Sequence, residues 1–149
     1  MTTPTRADRS KSRGFTLIEL VIALAIVAIL VRIAFPSYQA YVVRSSRQAA
    51  QSELVALANA QEKIFLNDNA YVFDPATSVK KAYTGKSDGG LGVTSEKSKD
   101  GRYKYSVAAT ATTFTLTATP TGAQYAGDPL PLTISETGQR KWGTSGKTW

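Results

Sequence analysis

An α+β fold is predicted for this chain by three features. A long apolar run near the N-terminus continues, past Pro36, into an amphipathic helical pattern. Three later segments alternate apolar and polar residues with period two, the signature of half-buried strands. The apolar face of the resulting sheet needs a cover, and the amphipathic half of the helix is the only large candidate.

The helix comes first. Residues 20–31 read LVIALAIVAILV without interruption. Adding Phe15, Leu17, Ile18, Ile33, Ala34 and Phe35 gives about 20 residues, roughly what crosses a 30 Å hydrocarbon core. Pro36 removes a backbone N–H and is expected to bend the helix without ending it. Beyond it, Ala50, Leu54, Leu57, Ala58, Gln61 and Phe65 fall on one helical face. Arg44, Arg47, Gln48, Gln51 and Lys63 populate the others. One helix over about residues 16–66, kinked near Pro36, follows, with Asn67-Asp68-Asn69 as the stop.

Residues 70–100 carry loop composition, with Tyr71, Phe73 and Tyr83 expected to anchor it. Tyr103, Tyr105 and Val107 then alternate with Lys104, Ser106 and Ala108. Phe114, Leu116 and Ala118 alternate with threonines, and Leu130, Leu132 and Ile134 with Pro131, Thr133 and Ser135. Residues 109–112 suit a hairpin connection, and residues 139–142 a short edge strand. The sheet is thus expected over about residues 103–142.

Composition narrows the function classes. The 149 residues include no cysteine and no histidine. Disulfides, thiolate chemistry and zinc-thiolate sites are excluded, and the commonest general base is missing. Glu53 and Glu62 lie on the helix without a matching acid nearby, and no Gly-rich phosphate loop follows a strand. Asp128 and Glu136 are too sparse to argue for calcium. No catalytic residue, metal or cofactor is assigned, and the chain is not read as an enzyme. The net charge is +7, of which residues 1–14 hold +3 through Arg6, Arg9, Lys11 and Arg13 against Asp8. These 14 residues read as a basic leader kept on the cytoplasmic side.

Glu19 is the residue that demands an account. A carboxylate at mid-bilayer costs roughly 3 kcal/mol, less near an end. A secretory signal peptide, a plain anchor and an anchor cut at Gly14-Phe15 all compete for this segment. Against the signal peptide, no convincing A-x-A-like site follows the run, and Glu19 and Arg32 sit awkwardly within it. Arg32 reads either as snorkelling to the outer interface or as a contact between subunits.

Arg13-Gly14-Phe15-Thr16-Leu17-Ile18-Glu19, a basic leader before it and Pro36 after the apolar run together resemble a type IV pilin precursor of the type IVa class. The distal Phe114-Thr-Leu-Thr-Ala-Thr-Pro, Thr137-Gly138 and Trp149 resemble PilE-like minor pilins. The resemblance implies the pilin fold, with the second half of the helix packed on a small antiparallel sheet. It implies a leader over 1–14, cut by the prepilin peptidase after Gly14, and a membrane or filament-core helix half over 15–36. The periplasmic head would be residues 37–149, its helix half about 37–66. Phe15 would become the N-methylated first residue, and Glu19 would meet the terminal ammonium of a neighbouring subunit, with Pro36 shaping the packed helix. Such a pairing removes two desolvation penalties at once and favours the correct axial stagger. The implied partners are other pilin subunits, the prepilin peptidase, inner-membrane lipid before assembly and the inner-membrane assembly machinery. The implied location is the inner membrane, single-pass, then an extracellular pilus. Family members often close the distal region with a disulfide, which this cysteine-free chain cannot do.

The leading function is therefore a structural pilus subunit of the minor class. The alternatives are a type II secretion pseudopilin and a DNA-uptake or adhesive pilin. The last would use Lys80, Lys81, Lys104, Arg140 and Lys141, together with further lysines and the nearby Tyr103, Tyr105 and Trp142, to hold phosphates and stack on bases. Interspersed Asp88, Glu96 and Asp100 favour a plainly solvated lysine-rich face over a DNA partner.

The N-terminal device makes one joint prediction. Intact mass and N-terminal analysis of the protein from its native membrane shows loss of residues 1–14 and a methylated Phe15. A Glu19→Gln subunit is then depleted from sheared filaments. An intact leader, or normal incorporation of the variant, contradicts the device.

Overall fold

A computed structural model describes residues 14–73, 79–143 and 146–149. Helix α1 spans Leu17–Asp68 and contains Pro36. Strands β1 (Tyr103–Ala109) and β2 (Phe114–Pro120) precede a short helix α2 (Ala123–Gly127), and β3 (Leu132–Ser135) and β4 (Arg140–Trp142) close the order. The four strands form one antiparallel sheet in the order β1-β2-β3-β4. Two compact units divide the chain, Met1–Tyr38 and Gln39–Trp149. Of the expected leader, residues 1–14, only Gly14 lies among the described residues.

In the second unit the helix buries Ala50, Leu54, Leu57, Ala58, Gln61 and Ile64. The sheet answers with Tyr103, Tyr105, Val107, Phe114, Leu116, Ala118, Leu132 and Ile134. The expected cover of helix on sheet is therefore present, and the period-two segments turn their apolar members inward. Gln61 is wholly buried yet satisfied. Its Oε1 accepts from the Val72 N–H at 2.8 Å and its Nε2 donates to the Val72 carbonyl at 3.0 Å. One amide thus serves as a strand partner for Val72, which fastens the chain leaving the helix.

The helix stops two residues later than expected. Asn69 adopts a left-handed φ of 53° and its N–H returns to the Phe65 carbonyl at 2.8 Å, a cap for the last turn. Tyr71 anchors the loop as expected. It stacks on Phe65 and meets Phe114 edge-on, with centroids 4.6 and 4.8 Å apart. Among the described residues, Phe73 and Tyr83 are not buried, being 51% and 44% exposed. The loop is held instead by backbone bonds between residues 79–82 and 90–93, and by Asp68, which accepts the Ser87 N–H at 2.8 Å.

The third strand is shorter than its alternation suggested. It starts at Leu132, leaving Leu130 partly exposed and Pro131 outside. Proline has no N–H to donate to a ladder, so pairing begins only after it. The connection between β1 and β2 is Thr110–Thr113, closed by Thr110 N–H to the Thr113 carbonyl at 2.8 Å.

Arg47, which lies off the apolar face in the sequence pattern, is partly buried and ties the helix to the distal part of the head. Its guanidinium meets Asp128 at 2.8 Å and lies over the Trp142 ring, 4.1 Å from the centroid. The Trp142 indole N–H donates to the other Asp128 oxygen at 3.2 Å. Nearby, Gln124 Nε2 donates to the Val43 carbonyl at 3.1 Å and to the Tyr103 hydroxyl at 2.9 Å. Helix, α2 and β4 are thus joined without a covalent cross-link. Gly127 completes the close approach, since a Cβ there would stand 2.8 Å from Val43 Cγ2.

Removing one partner of a buried pair leaves the other unpaired, which costs about 3 kcal/mol. Asp128→Ala is therefore expected to lower the thermal midpoint of the head by about 10 °C. The double variant Arg47→Met/Asp128→Leu recovers part of that loss. A midpoint unchanged in Asp128→Ala would show that the pair does not hold the head.

Candidate functional site

Two regions carry the sequence-predicted residues, one in each compact unit. In the first, Gly14 and Phe15 precede the helix and are exposed. A Cβ at Gly14 would meet nothing within 4 Å, so close approach of another molecule is open here. Thr16 caps the helix by accepting the Glu19 N–H on its hydroxyl at 3.3 Å. Thr16-Leu17-Ile18-Glu19 has the capping-box spacing, a signal legible in the sequence. It places Glu19 in the first turn, where the helix dipole favours an anion. The carboxylate thus has a local role as well as a candidate intermolecular one. The apolar residues on both sides of it are exposed, Leu17, Ile18, Leu24, Ile33 and Phe35 among them. This helix contains a stretch long and apolar enough to cross a membrane.

The head carries the basic residues, and the fold separates them. Lys104 leaves the edge strand β1 and shares Glu96 with Lys80, at 3.3 and 3.5 Å. Both lysines hold the Glu96 carboxyl below its usual range, Lys104 by a hydrogen bond first and Lys80 by its charge. Two cations on one anion leave this corner at +1. Lys81 is tied to the Asp88 carbonyl in the loop. Arg140 and Lys141 lie on β4, the opposite edge. The Arg140 guanidinium stands 5.2 Å from the Trp149 ring centroid, and the Trp149 indole donates to the Lys141 carbonyl at 3.0 Å. Lys147 pairs across from Trp142, placing its ammonium 5.9 Å from that ring. The five candidates therefore form two groups on opposite sheet edges and one loop contact, not one patch.

The aromatic part of the sequence reading is corrected. Tyr103 and Tyr105 point into the core and are inaccessible to a base. Strand alternation put them on the inner face, a parity legible in sequence but outweighed by their nearness to Lys104. Trp142 is committed to Arg47 and Asp128. Burial drives the Tyr103 hydroxyl up to about 12 and Tyr105 further still. Among the described residues, no group of three or more His, Cys, Asp or Glu is placed to hold a metal ion.

The described residues thus comprise an exposed apolar N-terminal helix and a helix-backed four-stranded head. Comparison with known proteins places the chain more narrowly. Residues 9–34 match the model for the prokaryotic N-terminal methylation motif. Residues 36–129 match the model for the type IV minor pilin ComP, DNA uptake sequence receptor. The type IV major fimbrial protein FimA of Dichelobacter nodosus is 30% identical over 145 residues, covering 90% of this chain and 88% of FimA. A fimbrial protein of Pseudomonas aeruginosa is 38% identical over 98 residues, 66% of this chain and 59% of that protein. The type IV major pilin protein PilE1 of Neisseria gonorrhoeae is 37% identical over 101 residues, 60% of this chain and 45% of PilE1. The match thus spans under two thirds of the Pseudomonas protein's length. The chain belongs to the type IV pilin family.

Alkali tests the inward tyrosines. An acid whose folded-state value is raised stays protonated in the folded chain after the unfolded chain has ionised. Stability is therefore complete below pH 10 and falls as the pH climbs from 10 towards 12. For Tyr103 the loss is about 2–3 kcal/mol across that window. Tyr103→Phe is expected to flatten the slope of unfolding free energy against pH there, and an unchanged slope would contradict the assignment.

Proposed function

We propose that this chain is a minor pilin, cut after Gly14, methylated on Phe15 and assembled through its N-terminal helix, whose head binds DNA at the pilus surface. The methylation-motif match over residues 9–34 supports the processing step. The exposed apolar helix supports the packing step, since such a surface requires either lipid or neighbouring helices. Within that packing, Glu19 is the partner of a neighbour's Phe15 ammonium. The cytoplasmic leader, periplasmic head and recruitment by the prepilin peptidase and inner-membrane assembly machinery belong to the same reading.

The observation that carries the DNA reading is the head's match to the DNA-uptake-receptor model, taken with the β4 edge. That edge presents Arg140, Lys141 and Lys147 within three strand positions and a tail bridge. Cations clustered on an edge supply sequence-independent attraction to phosphates. With Tyr103 and Tyr105 buried, base stacking has no platform on β1, so the backbone of a duplex is the favoured contact. The relatives described as major pilins argue for the bulk subunit, and the ComP-type head argues for the minor one. Nothing in the head favours the pseudopilin alternative.

Fluorescence anisotropy on the full chain in non-ionic detergent tests the DNA reading. Wild-type protein binds a labelled duplex at low salt, with affinity falling steeply as salt rises. Arg140→Glu/Lys141→Glu weakens binding at least tenfold. No binding by wild type at low salt would end the reading.

A further inference from the structure

Register aligns the outward residues of the sheet into rows. Ser106 on β1 faces Thr117 on β2, which faces Thr133 on β3, which faces Lys141 on β4. On one side of this central row, Lys104 faces Thr119. On the other, Ala108 faces Thr115, which faces Ser135. These outward positions hold hydroxyls, two lysines and one alanine, and no carboxylate. Most are exposed, and the rest are half-buried between their neighbours.

Such a face has specific chemistry. Neighbouring hydroxyls in a row stand about 4.8 Å apart and successive rows about 6.8 Å apart, so donors repeat on a flat grid. Threonine is stiff at χ1 and keeps its hydroxyl presented at low entropic cost. Serine and threonine hydroxyls, with lysine and arginine, are the side chains that contact phosphate oxygens and sugars in protein–DNA interfaces. A face of four strands is about 14 Å wide, wider than the roughly 12 Å major groove, so it meets the backbone rather than entering to read bases. The charge is complementary as well. Lys141 closes the central row, while Arg140, paired with the buried Ile134, has the opposite strand parity; Lys104 closes the diagonal corner, where Lys97 is its bridge partner. Glu96 is the acid at that corner, and it lies between two lysines.

We propose that the solvent face of the sheet, centred on the row Ser106–Thr117–Thr133–Lys141, is a docking platform for the sugar-phosphate backbone of duplex DNA. This deepens the DNA reading and rests on it. The basic β4 edge attracts the duplex, and the hydroxyl grid supplies short-range, sequence-independent hydrogen bonds that orient it across the strands.

The test separates the two layers. Thr117→Val/Thr133→Val keeps the β-branched shape and strand preference while deleting two hydroxyls. By anisotropy on the full chain in detergent, this pair binds a labelled duplex about tenfold more weakly, equally across unrelated sequences. Its slope of log affinity against log salt stays that of wild type, because no counterion release is lost. Lys141→Ala instead lowers that slope by about one. Thr117→Ser/Thr133→Ser retains wild-type affinity and guards against a packing artefact. If the valine pair binds as wild type does while Arg140→Glu/Lys141→Glu loses binding, the platform is overturned and the DNA reading stands. If wild type binds no duplex at low salt, both fall. If the valine pair weakens only binding to a sulfated polysaccharide, the platform is overturned as well.

Discussion

The head depends on one polar knot, Arg47 with Asp128 and Trp142. A nearly buried carboxylate must be paired, and both its oxygens are, one by a guanidinium and one by an indole N–H. The guanidinium in turn lies on the indole face. Three segments distant in sequence are committed to one geometry: the helix, the turn after α2 and the last strand. A buried ion pair adds little net stability over apolar packing, because desolvation offsets its attraction. Its contribution is uniqueness, since any other arrangement strands a charge. In a chain without cysteine, that uniqueness replaces what a covalent cross-link supplies elsewhere. Gln124 extends the same logic by tying α2 to a helix carbonyl and to Tyr103.

What the knot positions is a division between faces. With the helix fastened behind it, the sheet turns its tyrosines, leucines and phenylalanine inward and its hydroxyls outward. The cations sort to the two edges, one partly neutralised by Glu96 and one stacked against Trp149 and Trp142. The tail doubles back on β4, where the Trp142 N–H meets the Lys147 carbonyl at 2.7 Å. That pairing also covers a strand edge that would otherwise invite another chain. The N-terminal unit carries the opposite character, an exposed apolar helix with one carboxylate in its first turn.

Much of this was legible in sequence. The apolar run, the face through Ala50, Leu54, Leu57 and Gln61, and the alternation of Tyr103, Phe114 and Leu132 depend on local periodicity, which hydrophobic burial enforces. Other features were misread for physical reasons. Phe73 and Tyr83 are large and aromatic, yet both stay about half exposed among the described residues. Leu130 continues an alternation that Pro131 cannot extend into a ladder. The pairing of Arg47 leaves no local signal because its partner lies 81 residues away. Tyr103 and Tyr105 looked available to a ligand because their neighbours in sequence are lysine and serine, although strand parity sends them to the other face. The Thr16 cap is legible as a Thr-x-x-Glu spacing at the helix start.

By itself, then, the sequence determined the elements and the N-terminal methylation motif, because helix periodicity, strand alternation and residues 9–34 are written in contiguous residues. Only tertiary structure decided which charges meet. Register, not spacing, aligns Ser106, Thr117, Thr133 and Lys141 across four strands, and packing, not composition, buries Asp128 against Arg47. Pairing across long sequence separations is set by the three-dimensional satisfaction of buried polar groups, and no local pattern records it.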